Sequence, residues 1–485
     1  MFILLTKGIT KKGMKNLSTK EKKTTNIWKG VKTRLYLDDR RRLSPILLGI
    51  IGSFSMTIFM SYVGLHLEAI DTVYWLILFI FALRNIPQLF LRVPLGNLSQ
   101  MIGRKPLLIA GIGFYSVSLL FLAISSHWAW VIVAMFFLAI GMSCFWPVIF
   151  AYIGDVEDTK SIGKVQGRLF QGTDLGAILG ALLAFLLLKI SNLNIEVTLN
   201  PNILSIISIP EKVTTMSPLR ILFAWAAGIS FVGVIAMTIF MPEVLKKENE
   251  LRTDSKAKAL GTSFVSMFKS LITVSKQKKL SFIYIIQLAV AFLEYTVTAF
   301  WPILISEVKG LPYDSVAQIA WITSGVLIFF KPYLGKIVDK LGYKGPILVT
   351  LTITTTMLIL FIFVNSLPWL IVIYIIYSAS SLTSYIGVNT GTTRESLLTQ
   401  RGMALGALGF YVSLSRSVST LSFIPLSVNS NQVNGTIDWS GIIPTIFFST
   451  AIAVISIVLL IYLTFYLLER SKRIKEHKLK SQQHS

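Results

Sequence analysis

The chain has 485 residues, 53% of them hydrophobic and 14% charged, with a mean hydropathy of +0.68. A soluble protein spends about a quarter of its residues on charge, so a chain this long and this poor in charge cannot cover a water-facing surface. The formal net charge of +23 would point to nucleic acid in a soluble chain. Beside a membrane, basic segments act as topology determinants and contacts for anionic headgroups, and no nucleic-acid partner is expected.

Apolar runs of about 20 residues, each long enough to cross roughly 30 Å of hydrocarbon, recur along the sequence. The first six spans are predicted at Pro45–Leu65, Val73–Val93, Pro106–Ile124, Trp128–Ile153, Gln166–Leu188 and Pro218–Met241. Six more follow at Ser281–Ile305, Val316–Val338, Gly345–Val364, Pro368–Val388, Met403–Pro425 and Ile442–Leu467. Ser, Asn, Pro and charged residues punctuate the breaks, as turn chemistry requires. Hydrocarbon offers no water to backbone groups, so these runs are expected as helices. The fold class predicted is an all-α membrane protein of twelve transmembrane helices.

Basic residues set the orientation. The stretch before Pro45 carries 13 Lys and Arg against three acids, segment 242–280 nine against four, and the tail from Glu469 six against two. The turns after spans 2, 4, 8 and 10 add Arg104, Lys105, Lys160, Lys164, Lys336, Lys340, Lys344, Arg394 and Arg401. The opposite side shows Lys212, Lys309 and Arg220. The positive-inside rule then places both termini and the even-numbered loops in the cytoplasm, and an even number of spans demands that agreement. An integral, multi-pass plasma-membrane protein is expected.

Two turns repeat: GNLSQMIGRK at Gly96–Lys105 and GKIVDKLGYK at Gly335–Lys344. Gly96 aligns with Gly335, Gln100 with Asp339, Gly103 with Gly342 and Lys105 with Lys344, while Arg104 adds a further cation to the first copy. Four positions earlier stand Arg92 and Lys331. The copies lie about half a chain apart, so the chain reads as an internal duplication. The turn resembles the loop between helices 2 and 3 of major facilitator superfamily transporters, and its repeat between helices 8 and 9. That pattern reads G-x-[LI]-x-D-x-x-G-x-[KR]; the second copy fits it throughout and the first departs at Gln100.

The resemblance implies two pseudo-symmetric six-helix bundles, 45–241 and 281–468, rocking about a midplane site. A basic segment (1–44), a linker (242–280) and a basic tail (469–485) complete the chain. In the linker, Phe264, Met267, Phe268 and Leu271 stand at helical spacing, which predicts an amphipathic helix on the membrane surface. An element lying against the membrane is expected within Ser191–Ser217, and Asn434 heads a sequon to which no function is assigned. The resemblance makes the duplicated turns gates, with Asp339 pairing across the halves and Gln100 giving a weaker latch.

Charges inside spans require a partner, a cavity or a task. Arg84 and Arg92 fall in span 2, Asp174 in span 5, Glu294 in span 7, Lys331 in span 8 and Arg416 in span 11. A carboxylate held in an apolar interior without a full partner exchanges protons near neutral pH, making Glu294 and Asp174 candidates for proton coupling. The alternative is a static ion pair, for Asp174 with Lys331, because helices 5 and 8 meet across the halves in the family. Arg92 and Lys331 are candidate anion-binding cations, similar to the paired arginines of the nitrate and nitrite branch; here the bland reading is a charge lattice around the gates. Spans 5 and 11 lack that branch's asparagine-bearing signatures. Span 5 also lacks the proline of the drug-antiporter signature, leaving Gly172, Gly176 and Gly180 as packing residues.

In the family, helices 1, 4, 7 and 10 line the cavity, which adds Tyr62, Trp146, Tyr295, Trp301, Ser384, Tyr385 and Asn389 as candidate substrate contacts. Hydroxyls bonding within helices account for part of such a set. No phosphate-binding loop, metal-ligand cluster or hydrolytic constellation occurs in the sequence, so neither an enzyme, a metal nor a cofactor is expected. Expected partners are a small-molecule substrate, protons and the bilayer, around a monomer. The function predicted is secondary active transport of a small solute. An anion porter, an efflux antiporter and a non-transporting sensor of the same fold stay open.

Overall fold

The computed structural model describes residues 39–70, 72, 74–191, 218–244, 264–311, 314–428, 432–433, 436–437 and 444–456. The N-terminal segment to residue 38, the element expected after Ser191, linker residues 245–263, the sequon at Asn434 and the basic tail lie outside them.

All twelve predicted spans contain helix. They are Arg40–Ala69 (span 1), Tyr74–Leu83 with Asn85–Ile102 (span 2), Arg104–Ile124 (span 3), Trp128–Val156 (span 4), Ile162–Ser191 (span 5) and Pro218–Phe240 (span 6). The second half has Lys278–Ile303 (span 7), Asp314–Leu341 (span 8), Lys344–Phe363 (span 9), Leu367–Glu395 (span 10), Arg401–Val428 (span 11) and, as described, Pro444–Ser456 (span 12). A short antiparallel pair, Gln432–Val433 with Thr436–Ile437, is the one strand feature among the described residues.

Among the described residues, seven helices are long and apolar enough to cross a membrane on composition alone: spans 1, 3, 4, 6, 7, 9 and 10. Spans 2, 5, 8 and 11 do not meet that standard, and they are the helices through which the halves meet, 2 against 11 and 5 against 8. A helix face turned to protein can carry the charges and glycines that a lipid-facing one rejects.

The duplication is visible in the packing. Span 1 packs on 5 as 7 packs on 11, span 3 on 4 as 9 on 10, and span 2 on 4 as 8 on 10. Gly172, Gly176 and Gly180 of span 5 lie against the backbone of span 1 at Ile46, Ile50 and Phe54. The halves touch most closely at the end bearing the duplicated turns, called here the motif end. There the backbones of Gly96 and Gly402, and of Gly163 and Gly335, leave no room for a Cβ. The motif end is closed.

The linker forms a helix at Phe264–Ser275, burying Leu271 and Val274 and exposing Lys269 and Ile272. It packs against spans 2 and 11, one from each half, and the Tyr411 hydroxyl reaches Ser275 Oγ at 3.1 Å.

Candidate functional site

A central cavity of about 350 Å³ lies between the halves. Span 2 contributes Arg92, span 11 Arg416, span 7 Glu294, span 4 Trp146 with Met142, span 5 Phe170 and span 1 Met56. Span 10 supplies a stripe at helical spacing, Tyr374, Tyr377, Ser378, Ser381 and Tyr385. Toward the motif end the floor is aromatic. Trp146 stacks on Phe170 at 6.2 Å, and Phe150 and Phe170 meet Tyr385 of the other half edge-on at 5.9 and 5.7 Å.

The cavity's charges are unequal. Arg92 is buried, donating to the Gly409 carbonyl across the interface at 2.8 Å and to Gln88 Oε1 at 2.5 Å. Arg84, at the break in span 2, is buried beside Met60 Sδ and hydrogen-bonds Tyr295. Neither forms an ion pair with a carboxylate among the described residues. Arg416 lies 3.5 Å from Glu294 and over the Tyr295 ring at 5.9 Å. The Glu294 side chain is 36% exposed, facing the cavity. Two guanidiniums therefore share the cavity with one acid, and a third, Arg84, is buried nearby.

A smaller chamber of about 180 Å³ opens beside it, sharing the walls Tyr374, Ser378 and Leu382. It holds Asp174 of span 5 and Lys331 of span 8, paired at 2.5 Å. Lys331 thus faces this chamber and not the central one, so the pseudo-equivalent cations Arg92 and Lys331 are not brought together. Arg416 is the second cation of the central cavity instead.

Other sequence candidates go elsewhere. Trp301 is buried on Tyr374 and Phe361, at 4.5 and 4.7 Å, behind the cavity wall. Ser384 bonds Thr350 Oγ1 at 2.7 Å, and Asn389 donates to the Tyr385 carbonyl at 2.8 Å. Tyr62 packs against the apolar core. His66 of span 1 is buried with its Nε2 at 2.6 Å from Ser125 Oγ.

At the motif end, Asp339 Oδ1 accepts from the Gly163 N–H at 2.9 Å and Arg394 at 2.8 Å, and Oδ2 from the Lys164 N–H at 2.8 Å. Two of these donors open span 5, where a helix favours negative charge. In the first copy, Arg104 pairs with Asp155 at 3.0 Å, and Asp155 pairs across the halves with Arg401 at 2.8 Å. Glu243 accepts from the Arg104 and Lys105 N–H groups at 3.3 and 3.1 Å. Gly103 and Gly342 hold φ of 103° and 76°, the region where glycine avoids a Cβ clash. Lys344 lies 6.0 Å from the Tyr343 ring.

Sequence reasoning passed over Asp155, and took Arg394 and Arg401 only as orientation charges. It also passed over Phe170, Tyr374 and Tyr377; the aromatic and hydroxyl spacing of span 10 was the legible signal.

Solved structures share this architecture. The human organic anion transporter MFSD10 (TETRAN) matches with a TM-score of 0.67 at 14% identity, over 87% of this chain and 99% of that one. The proton:xylose symporter XylE bound to 6-bromo-6-deoxy-D-glucose gives 0.62 at 14% identity, over 87% and 94%. The E. coli fucose:proton symporter FucP gives 0.57 at 12% identity, over 86% and 98%. Identities this low establish the fold alone. No curated protein matches the chain in sequence. The model of the Major Facilitator Superfamily matches residues 33–420, and the chain belongs to that superfamily.

Proposed function

We propose that the protein is a proton-coupled secondary transporter of a small organic anion, working by alternating access. The observation that carries this reading is the charge around the central cavity, where Arg92 and Arg416 share the lining with the single carboxylate of Glu294, and Arg84 is buried nearby on Tyr295. Buried cations without counter-charge are costly, and an anionic substrate supplies what the protein withholds. The aromatic and methionine walls suit an apolar body behind the charged group, in a volume at the small end of ligand sites.

Glu294 is the proton site of this reading. Ionised, it competes for Arg416; protonated, it yields Arg416 to the substrate, so proton and anion load together. The motif end lies in the cytoplasm of a plasma-membrane monomer, and the state described is closed toward that side.

Counterflow in proteoliposomes tests the substrate class, with labelled lactate, succinate and citrate set against glucose and a cationic dye. Exchange of an anion supports the proposal; exchange of sugar or dye alone overturns it. For coupling, Glu294→Gln keeps size and hydrogen bonding but removes titration. Uptake driven by a pH gradient should collapse while anion-for-anion exchange persists. Gradient-driven uptake at the normal rate would remove Glu294 from the mechanism.

A further inference from the structure

The side chamber has no part in the mechanism above, yet it is built around a buried charge pair. Asp174 and Lys331 come from opposite halves and meet at 2.5 Å, with side chains 12% and 11% exposed. Among the described residues, this is the ion pair that joins the halves within the membrane and not at the motif end. It lies about 16 Å along span 5 from Gly163, at 1.5 Å per residue. The seam between spans 5 and 8 is the one sealed by Gly163 and Gly335.

Opening the motif end separates these helices. Parting the pair unaided would strand a carboxylate and an ammonium in a buried site, which is strongly unfavourable. The chamber supplies what each partner would then need. Thr323, Ser324 and Ser378 line it beside Lys331, giving hydroxyl oxygens that can accept from the ammonium and O–H groups that can donate to an oxyanion. Thr323 is 4% exposed and its Oγ1 has no hydrogen-bond partner among the described residues. A buried, unsatisfied hydroxyl in a cavity implies a ligand or water that satisfies it. The volume holds several waters or one compact oxyanion, and the shared wall connects it to the central cavity.

We infer that this chamber is an exchange site: Asp174 leaves Lys331 as the neutral acid, and a carboxylate or similarly compact oxyanion of the substrate takes its place on the ammonium. One proton arrives from the aqueous side to form the O–H of Asp174, and one negative charge arrives with the substrate, so the chamber's net charge is unchanged. Asp174 meets Lys331 from span 8, and Thr323 and Ser324 of span 8 with Tyr374 and Ser378 of span 10 line the same chamber. Span 1 presents Ile46, Ile50 and Phe54 to the glycines of span 5. Lys331 is the charged group acting on Asp174 among the described residues. The exchange rests on the anion reading, whereas the seam's response to protons is measured without substrate.

Nitroxides at Lys160→Cys and Lys340→Cys, both exposed at the motif end, report the seam in a Cys144→Ser background of the full chain in nanodiscs. Between about pH 8 and about pH 5 the separated population should rise about tenfold from a minor state. Asp174→Asn should show that population at both pH values. Asp174→Asn with Lys331→Gln, which strands no charge, should also be separated and indifferent to pH. A double variant that stays closed, or that keeps the normal pH response, overturns the proposal and leaves a static staple.

Acetate, against chloride, probes the oxyanion place. It should raise the melting temperature of Asp174→Asn and leave the double variant unmoved. Equal effects of acetate and chloride overturn the oxyanion assignment. Failure of anion counterflow in the unmodified protein, with the pH response of the seam intact, would instead sink the anion reading while leaving the proton step standing.

Discussion

At the turn after span 8 the acid stands within the duplicated motif. Asp339 gathers two backbone N–H groups of span 5 and the guanidinium of Arg394. At the matching turn after span 2 the motif offers only Gln100, and the acid comes from Asp155 at the end of span 4, clasped between Arg104 and Arg401. The glycine contacts are alike in both copies, Gly96 on Gly402 and Gly335 on Gly163. Backbone approach is thus fixed by the fold, while the charge that holds it is movable. One half places its acid in the last turn of span 8, within the motif, and the other at the end of span 4, outside it.

The sharpest way to break the comparison is Asp155→Asn. Asp155 serves two cations whose side chains are 1% and 6% exposed. An amide would remove the carboxylate that both pair with and turn its nitrogen, a donor, toward a guanidinium. Removing one partner of a buried pair costs about 3–5 kcal/mol. Thermal unfolding in detergent should show a large loss of stability, and substrate exchange should fall with it. A melting temperature within error of the unmodified protein would mean that Asp155 is not the first half's latch.

Asp339→Asn should have a smaller and differently placed effect. Its side chain is 7% exposed and Arg394 18%, so water reaches the pair more readily. The asparagine keeps one acceptor oxygen for the span 5 N-terminus, but its amide nitrogen faces a donor. Loss of charge-assisted hydrogen bonds here is worth about 1.5–3 kcal/mol, felt mainly in the state with the motif end closed. Folding and insertion should survive while transport slows. Transport at the normal rate would dismiss the latch role of Asp339.

How much of this was readable before the structure follows from the same contrast. The spans, the duplication and Asp339 stand in contiguous patterns, where a helical period or a spaced motif carries the information. Asp155 stands outside the motif, and its partnership with Arg401 spans 246 positions; no local pattern announces it. The intramembrane charges were legible as exceptions to apolar runs, but their grouping was not. Arg92 and Lys331 occupy equivalent places in the repeat, yet they face different chambers because Lys331 is claimed by Asp174. The chamber hydroxyls and the stripe of span 10 needed the helix rotation that only packing sets.

The smallest expected effect is also the one that refines the comparison most. Gln100→Asp restores to the first copy the residue type of the second. Gln100 Nε2 is buried without a hydrogen-bond partner among the described residues, so the substitution sacrifices little. Asp339 receives the N–H groups of the second and third residues of span 5, Gly163 and Lys164. The corresponding donors on span 11 are those of Gly402 and Met403. A carboxylate at that helix start gains about 0.3–1 kcal/mol, offset in part by repulsion from Asp155, which already holds Arg104 and Arg401. The melting temperature should therefore shift little, and exchange should continue with a bias toward the closed motif end. The informative experiment combines Gln100→Asp with Asp155→Asn. Recovery of stability relative to Asp155→Asn alone would establish that the latch needs an acid at the seam and not at one fixed position. No recovery would confine the latch to the end of span 4 and make the resemblance between the two turns one of backbone only.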